Sequence, residues 1–176
     1  PDHISGMDRV AEAANILKLG INTPIINLQG DEPFMPLEIL NSLSNFLCSE
    51  TPIATACLAF NDQDQIQNPN EVKVVRSRSN RAMYFSRSPI PYDVEQRNDS
   101  HLKHLGIYAY TNQTLQELSK LKASPNEKSE KLEQLRFLEN GFNIYVQNYE
   151  CKCPIGIDTP EDLIAANKFA KIYDSN

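Results

Sequence analysis

Pro24-Ile25-Ile26-Asn27-Leu28-Gln29-Gly30-Asp31-Glu32-Pro33 is a short apolar run that stops at a glycine followed by two carboxylates. β-Branched and apolar residues ended by Gly predict a buried strand. In open α/β sheets, ligands settle just beyond the carboxyl ends of the strands. Gly30 permits close backbone approach there, and Asp31 can hold a hard cation. The same residues also suit a strand-to-helix turn in which Asp31 or Glu32 caps a helix beginning near Pro36. The local pattern leaves both readings open.

Outward from this turn, strands and helices alternate. Residues 8–19 read as an amphipathic helix with Val10, Ala13, Ala14 and Leu17 on one face, stopped by Gly20. Pro36 opens a second helix, with Leu37, Leu40, Leu43 and Leu47 at helical spacing. Strands are predicted over 53–58, 72–75, 81–85, 105–110 and 143–147, with 77–80 a turn and the polar stretch 61–70 a loop. Two prolines hold 86–91 extended or turned, and 93–101 reads as a polar, mobile loop. Helices follow over 112–121 and 129–140, with Gly141 as the C-cap of the second. A last helix starts at Pro160, capped by Thr159 or Asp158. This alternation predicts one α/β sandwich domain over 1–176 with a mostly parallel sheet. The stretch 72–110, richer in strand and loop, reads as a small inserted lobe.

Composition narrows the function classes. The chain has 176 residues, 40% hydrophobic, with a net charge of −6, which suits one globular domain. It has no basic cluster, which argues against nucleic acid and anionic membrane as partners. No apolar run approaches the ~18 residues of a membrane span, and no signal peptide is visible. Cys48, Cys57, Cys151 and Cys153 lack paired CxxC spacing, and Cys151 and Cys153 have no second ligand pair beside them. A reduced, cytoplasmic protein is the economical expectation. Residue 1 is Pro rather than Met, so the sequence reads as a partial chain.

Several segments can carry chemistry. Gly156-Ile157-Asp158-Thr159-Pro160-Glu161-Asp162 forms a second acidic turn. Two carboxylates converging from separate loops suit Mg²⁺, which takes one or two carboxylates plus substrate oxygens and water. Helix capping with acids in the first turn is the reading that local physics favours for Asp158, Glu161 and Asp162, and Glu161 and Asp162 are assigned to it. Along 103–110, His104, Gly106, Tyr108 and Tyr110 alternate with Leu105, Ile107 and Ala109. The first set could line a sugar pocket or pack as an aromatic face on a helix. Glu133 and Gln134 sit on a helix whose apolar stripe is Leu132, Leu135 and Leu138, a setting that usually turns them to solvent. Arg87, in the rigid Ser86-Arg87-Ser88 loop, suits bidentate recognition of a carboxylate. No GxSxG, GxGxxG, P-loop or HExxH pattern occurs.

Taken together, these segments resemble the CMP-Kdo synthetases, the 3-deoxy-manno-octulosonate cytidylyltransferases. The matching pieces are Ser5-Gly6-Met7-Asp8-Arg9, Asn27-Leu28-Gln29-Gly30-Asp31-Glu32-Pro33 and Asn68-Pro69-Asn70-Glu71-Val72-Lys73-Val74-Val75. Tyr84-Phe85-Ser86-Arg87-Ser88-Pro89-Ile90-Pro91 and His104-Leu105-Gly106-Ile107-Tyr108-Ala109-Tyr110 continue the series. Leu132-Glu133-Gln134-Leu135-Arg136 and Gly156-Ile157-Asp158-Thr159-Pro160-Glu161-Asp162-Leu163 complete it, in the family's order over nearly the whole chain.

The resemblance implies a three-layer α/β/α nucleotidyltransferase-like sandwich and a defined reaction. The anomeric hydroxyl of Kdo attacks the α-phosphorus of CTP, giving CMP-Kdo and diphosphate for lipopolysaccharide biosynthesis. By that likeness Asp31 and Asp158 are the catalytic pair that holds Mg²⁺. Gln29, Arg87, His104, Tyr108, Glu133 and Gln134 form the Kdo pocket, and Ser5 and Gly6 lie near the cytidine. A homodimer formed through the inserted lobe is implied in the same way. Two departures stand out. Met7 occupies a position where the family usually has Thr, and nothing here matches the family's first strand and Arg-, Pro- and Gly-containing triphosphate loop. On this reading the chain is N-terminally incomplete, and these residues alone are expected not to bind CTP productively. The alternatives are a relative that activates 8-amino-Kdo or a sialic acid, and a catalytically incomplete binding fragment.

Overall fold

The computed structural model describes residues 6–47, 51–60, 63–95, 100–150, 156–157 and 159–173. Ser5, Asp158, Cys151 and Cys153, and residues 96–99 of the polar stretch 93–101, lie outside them. In chain order the elements are α1 (Gly6–Ile16), β1 (Pro24–Asn27), α2 (Leu37–Phe46), β2 (Ile53–Ala59), α3 (Gln63–Gln67), β3 (Lys73–Arg76) and β4 (Ala82–Ser86). They continue with β5 (Leu102–Thr111), α4 (Asn112–Leu118), α5 (Pro125–Glu130), α6 (Gln134–Glu139), β6 (Tyr145–Tyr149) and α7 (Pro160–Tyr173).

The six strands form one sheet in the order β4-β3-β5-β2-β6, with β1 also paired to β5. The expected α/β sandwich is present, but its sheet is not mostly parallel. Only β2 and β6 run parallel; β5 is antiparallel to β1, β2 and β3, and β3 to β4. The reason lies in the connections. Short turns join β3 to β4, and β5 is long enough for β1 and β3 to share one edge while β2 takes the other. Alternation of elements along a chain does not reveal which strands become neighbours.

The period-2 pattern of β5 divides the core into two layers. On one face Tyr108 and Tyr110 pack with Met7, Ala11 and Ala14 of α1, Leu115 and Leu118 of α4, and Leu135 and Phe137 of α6. On the other, Leu105, Ile107 and Ala109 pack with Ile39 and Leu43 of α2 and with Ala54 and Ala56 of β2. The result is three layers, with β5 buried between helices on both faces.

Local differences from the sequence reading have local causes. α1 ends at Ile16, with Lys18 in the left-handed region (φ 52°), before Gly20 is reached. Its buried stripe is Met7, Ala11 and Ala14, while Leu17 stays exposed. The stripe of α2 is Ile39 and Leu43, with Leu37 exposed. The loop 61–70 contains α3. The single helix expected over 129–140 is two. Ser124 and Glu127 form a capping box with Pro125 in the first turn, so α5 begins early and ends at Lys131, which turns left-handed (φ 56°). Arg136 Nε donates to Glu127 at 2.9 Å and Nη2 at 2.5 Å, folding α6 back on α5. Gly141 (φ 81°) follows the C-cap of α6, where left-handed geometry favours Gly. Thr159 and Asp162 form a reciprocal cap for α7, with Asp162 N donating to Thr159 Oγ1 at 3.2 Å and Thr159 N to Asp162 Oδ2 at 2.9 Å. This assigns the cap to Thr159 and leaves Asp162 structural.

Candidate active site

The turn 29–33 does not cap α2. The N-cap of that helix is Pro36, and no side chain bonds to it. Instead Glu32 N closes a turn on Gln29 O at 3.1 Å, and Ile157 N donates to Asp31 O at 2.8 Å. The late acidic turn therefore arrives beside the early one, although their residues lie far apart in sequence. Asp31 Oδ1 is buried without a hydrogen-bond partner. A buried carboxylate oxygen left unpaired is costly unless something completes it. A hard cation with oxygen ligands fits that atom. Among the described residues no cluster of three or more His, Cys, Asp or Glu side chains forms a metal cage. Such a cation would therefore draw its other ligands from beyond these residues, as Mg²⁺ does when it keeps waters and substrate oxygens.

Around Asp31 lies a cavity of about 360 Å³, lined by Gln29, Arg87, His104, Gly106, Tyr108, Tyr110, Glu133 and Gln134 among others. All six residues expected in a sugar pocket thus come together with Asp31 on one cavity. A second hollow of about 740 Å³ adjoins it and is lined by Gly6, Met7, Arg9, Gly30 and others. Asn27, Gln29, Asp31 and Glu133 border both. Asp31 therefore stands at the junction of the two.

One wall is β5. Across from it β2 is in register through Thr55↔Tyr108 and then slips to Ala56↔Leu105, so Gly106 and Ile107 form a bulge. The Thr55 side chain bonds into this bulge. Its hydroxyl donates to Ile107 O at 2.7 Å, with Leu105 O at 3.4 Å. With that proton committed, Thr55 Oγ1 accepts from His104 Nε2 at 3.0 Å, which makes the ring the Nε2–H tautomer and leaves Nδ1 as an acceptor. Burial holds His104 neutral, pushing its pKa down to about 3. Phe85 meets its ring edge-on at 4.9 Å, and the Tyr108 ring lies tilted 5.5 Å away. Tyr108 stacks in turn on Tyr110 at 6.0 Å. The Tyr108 hydroxyl is buried, and desolvation holds it protonated, raising its pKa well above the ordinary phenol value. At Gly106 there is no side chain, and the Gln29 amide lies 3.7 Å from where a Cβ would sit. The alternation expected along this strand is correct, and the face is at once pocket wall and packed aromatic core.

The opposite wall is made of loops. Arg87 Nε donates to Glu130 O at 2.7 Å and Nη1 to Pro69 O at 2.9 Å, while among the described residues none accepts from Nη2. Gln134 is 6% exposed, so the helix face that reads as solvated is turned into the molecule. The break at Lys131 re-aims that face, and helical spacing alone does not show it. Residues missed by the sequence reading are Thr55, Lys73, Glu130 and the cavity-lining Glu71–Lys103 ion pair (2.5 Å). Thr55 was detectable as the lone hydroxyl in Ile53-Ala54-Thr55-Ala56-Cys57-Leu58-Ala59, and Lys73 as a charge within a strand.

No helix among the described residues is long and apolar enough to cross a membrane. The cytidylyltransferase family profile matches residues 1–147. A 3-deoxy-manno-octulosonate cytidylyltransferase of Polynucleobacter necessarius is 44% identical over 167 residues, 92% of this chain and 66% of the relative. One of Francisella tularensis subsp. holarctica is 41% identical over 179 residues, 97% of this chain and 72% of the relative. The chain therefore spans about two thirds of the length of these relatives. Among solved structures, a CMP:2-keto-3-deoxy-manno-octonic acid synthetase complexed with CTP superposes with a TM-score of 0.85 at 37% identity, over 98% of this chain and 70% of its own. Family profile, relatives and solved fold agree: the chain belongs to the cytidylyltransferase family and, within it, to the 3-deoxy-manno-octulosonate cytidylyltransferases.

Proposed function

We propose that this protein transfers CMP from CTP to 3-deoxy-D-manno-octulosonate, releasing diphosphate. The observation that carries the reading is the convergence of Gln29, Arg87, His104, Tyr108, Glu133 and Gln134 on one cavity that meets a second hollow at Asp31. An acidic sugar takes the first and the nucleotide the second, next to Gly6. Ser5 and Asp158 lie outside the described residues and keep their proposed roles on family likeness alone. The reaction takes place in the cytoplasm, ahead of lipopolysaccharide assembly, in a homodimer.

The residues divide the work by their chemistry. Nη2 of Arg87, which no described residue engages, suits the sugar carboxylate in a charge-assisted pair. His104 stays neutral at physiological pH, so it orients a sugar hydroxyl as an acceptor at Nδ1 and does not take its proton. Tyr108 keeps its proton and donates it as a hydrogen bond. Gln29 reads the sugar from the junction. Asp31 and Asp158 would hold Mg²⁺, which neutralises phosphate charge and lowers the pKa of a coordinated hydroxyl. The sugar oxygen bonds to the α-phosphorus as the bond to the diphosphate oxygen breaks, and positioning supplies most of the acceleration.

The test uses protein expressed from its complete gene with CTP and, separately, Kdo, 8-amino-Kdo and N-acetylneuraminate. Diphosphate release is measured and the product weighed by mass spectrometry. Preferential CMP-Kdo formation is expected. Preference for either other sugar, or no nucleotidyl transfer at all, overturns the reading. Asp31→Ala and Asp158→Ala should each abolish turnover, and near-normal activity in either removes that residue from the metal site.

A further inference from the structure

Lys73 has no exposed surface, although its side chain ends in an ammonium group. A buried charge is stable only when fully hydrogen-bonded. Its Nζ donates to Asn68 O at 2.9 Å, Glu71 O at 2.7 Å and Arg87 O at 2.6 Å, using all three protons on backbone carbonyls. Two of those carbonyls flank Pro69, whose own carbonyl receives Arg87 Nη1. The third belongs to Arg87 itself. Lys73 therefore holds both the Arg87 backbone and the loop against which its guanidinium rests.

Glu130 completes the clamp from the other side. Its Oε1 accepts from Ser86 Oγ at 2.6 Å and its Oε2 from Arg87 N at 2.9 Å, while its carbonyl accepts Arg87 Nε. Lys131, turned left-handed, comes next, and Glu133 and Gln134 follow. Glu130 thus ties the Arg87 loop to the segment that carries two other cavity residues.

We propose that Lys73 and Glu130 are positioning residues that preset Arg87 to receive the carboxylate of an acidic sugar. The inference rests on the sugar reading of the cavity. Neither side chain is asked to touch substrate. Their effect is on the guanidinium, which reaches the cavity with two donors already fixed to carbonyls and one amino group open. Preorganisation of this kind is seen in binding of the group it serves and not in binding of the nucleotide.

The experiment compares Lys73→Met and Glu130→Ala with the parent in protein from the complete gene, checked first for folding by circular dichroism. KM for Kdo and for CTP are measured, and solvent exchange of the Arg87 Nε–H proton is followed by NMR, assigned with Arg87→Lys. KM for Kdo should rise on the order of tenfold while KM for CTP stays within about twofold, and Nε–H exchange should quicken. Unchanged KM and exchange in folded variants overturn the proposal, as does an equal rise in both KM values. If Lys73→Met does not fold, Glu130→Ala decides. If the parent makes no CMP-Kdo, the functional reading fails, and Nε–H exchange still decides the positioning role.

Discussion

The two walls of the cavity are built on opposite principles. The β5 wall is a central strand with helices on both faces, and its functional side chains are held largely by packing: His104, Tyr108 and Tyr110, with Phe85 of β4, form a ladder of ring contacts. The loop wall has no such ladder. Arg87, Glu130 and the 68–71 segment are fixed by hydrogen bonds among carbonyls, a buried ammonium and a carboxylate. A packed wall should fail through cavities and lost burial, whereas a tethered wall should fail through misplacement with little loss of stability. The same site therefore has one side sensitive to volume and one sensitive to donors and acceptors.

The largest break in that comparison is at Ile107, which is fully buried on the face of β5 away from the cavity. Ile107→Ala should cost about 3 kcal/mol in urea unfolding, through lost burial and the void left behind. A loss below about 1 kcal/mol would show that the strand is not the rigid wall.

Acid should attack the same wall next. The folded His104 ring stays neutral down to about pH 3, while an unfolded ring protonates below about 6.5. Between these limits the unfolded state binds the extra proton, so stability falls as pH drops through that window and is unaffected above it. The expected loss is about 2 kcal/mol at pH 5 relative to pH 7. Urea titrations at both pH values should show that loss shrink in His104→Gln. An equal loss in both proteins would refute the neutral buried ring.

Thr55→Val tests the seam between β2 and the bulge. It keeps the shape but leaves the Ile107 carbonyl and His104 Nε2–H unpaired, so about 1–2 kcal/mol should be lost. The His104 ring should lose its tautomeric preference, visible in ¹⁵N imidazole shifts. Retention of the parent shifts would show that another group sets the tautomer.

The smallest effect belongs to the loop wall. Lys131→Gly relieves a left-handed residue and should leave stability unchanged or raise it by under about 1 kcal/mol. A clear loss on thermal unfolding would mean that the Lys131 side chain supports the helix break.

How much of this was legible follows the same division. The strand wall could be read because period-2 alternation is a local property of eight consecutive residues, and His104, Gly106 and Tyr108 do share a face. The loop wall could not. Glu133 and Gln134 read as solvated because the break at Lys131 depends on a capping box at Ser124 and on Arg136 reaching back to Glu127, neither of which alters the apolar spacing. Family resemblance named residues that lie on one cavity but carried no information about what holds them. Lys73 appears in a matching segment only as one more residue. The parallel sheet was misread because strand partners are chosen by connection length and edge availability, not by the strand's own composition.

By itself the sequence determined the strands and most of the helices, the alternating face of β5, the Gly30-Asp31 turn at the end of β1 and membership of a cytidylyltransferase family. Each of these is written in neighbouring residues or in motif order. Only the tertiary structure decided that Asp31 is no helix cap, that the turn before Asp158 bonds to its carbonyl, and that a buried lysine and Glu130 hold Arg87 in place. Those outcomes depend on hydrogen bonds between segments distant in sequence, and such partners exist only once the chain has closed on itself.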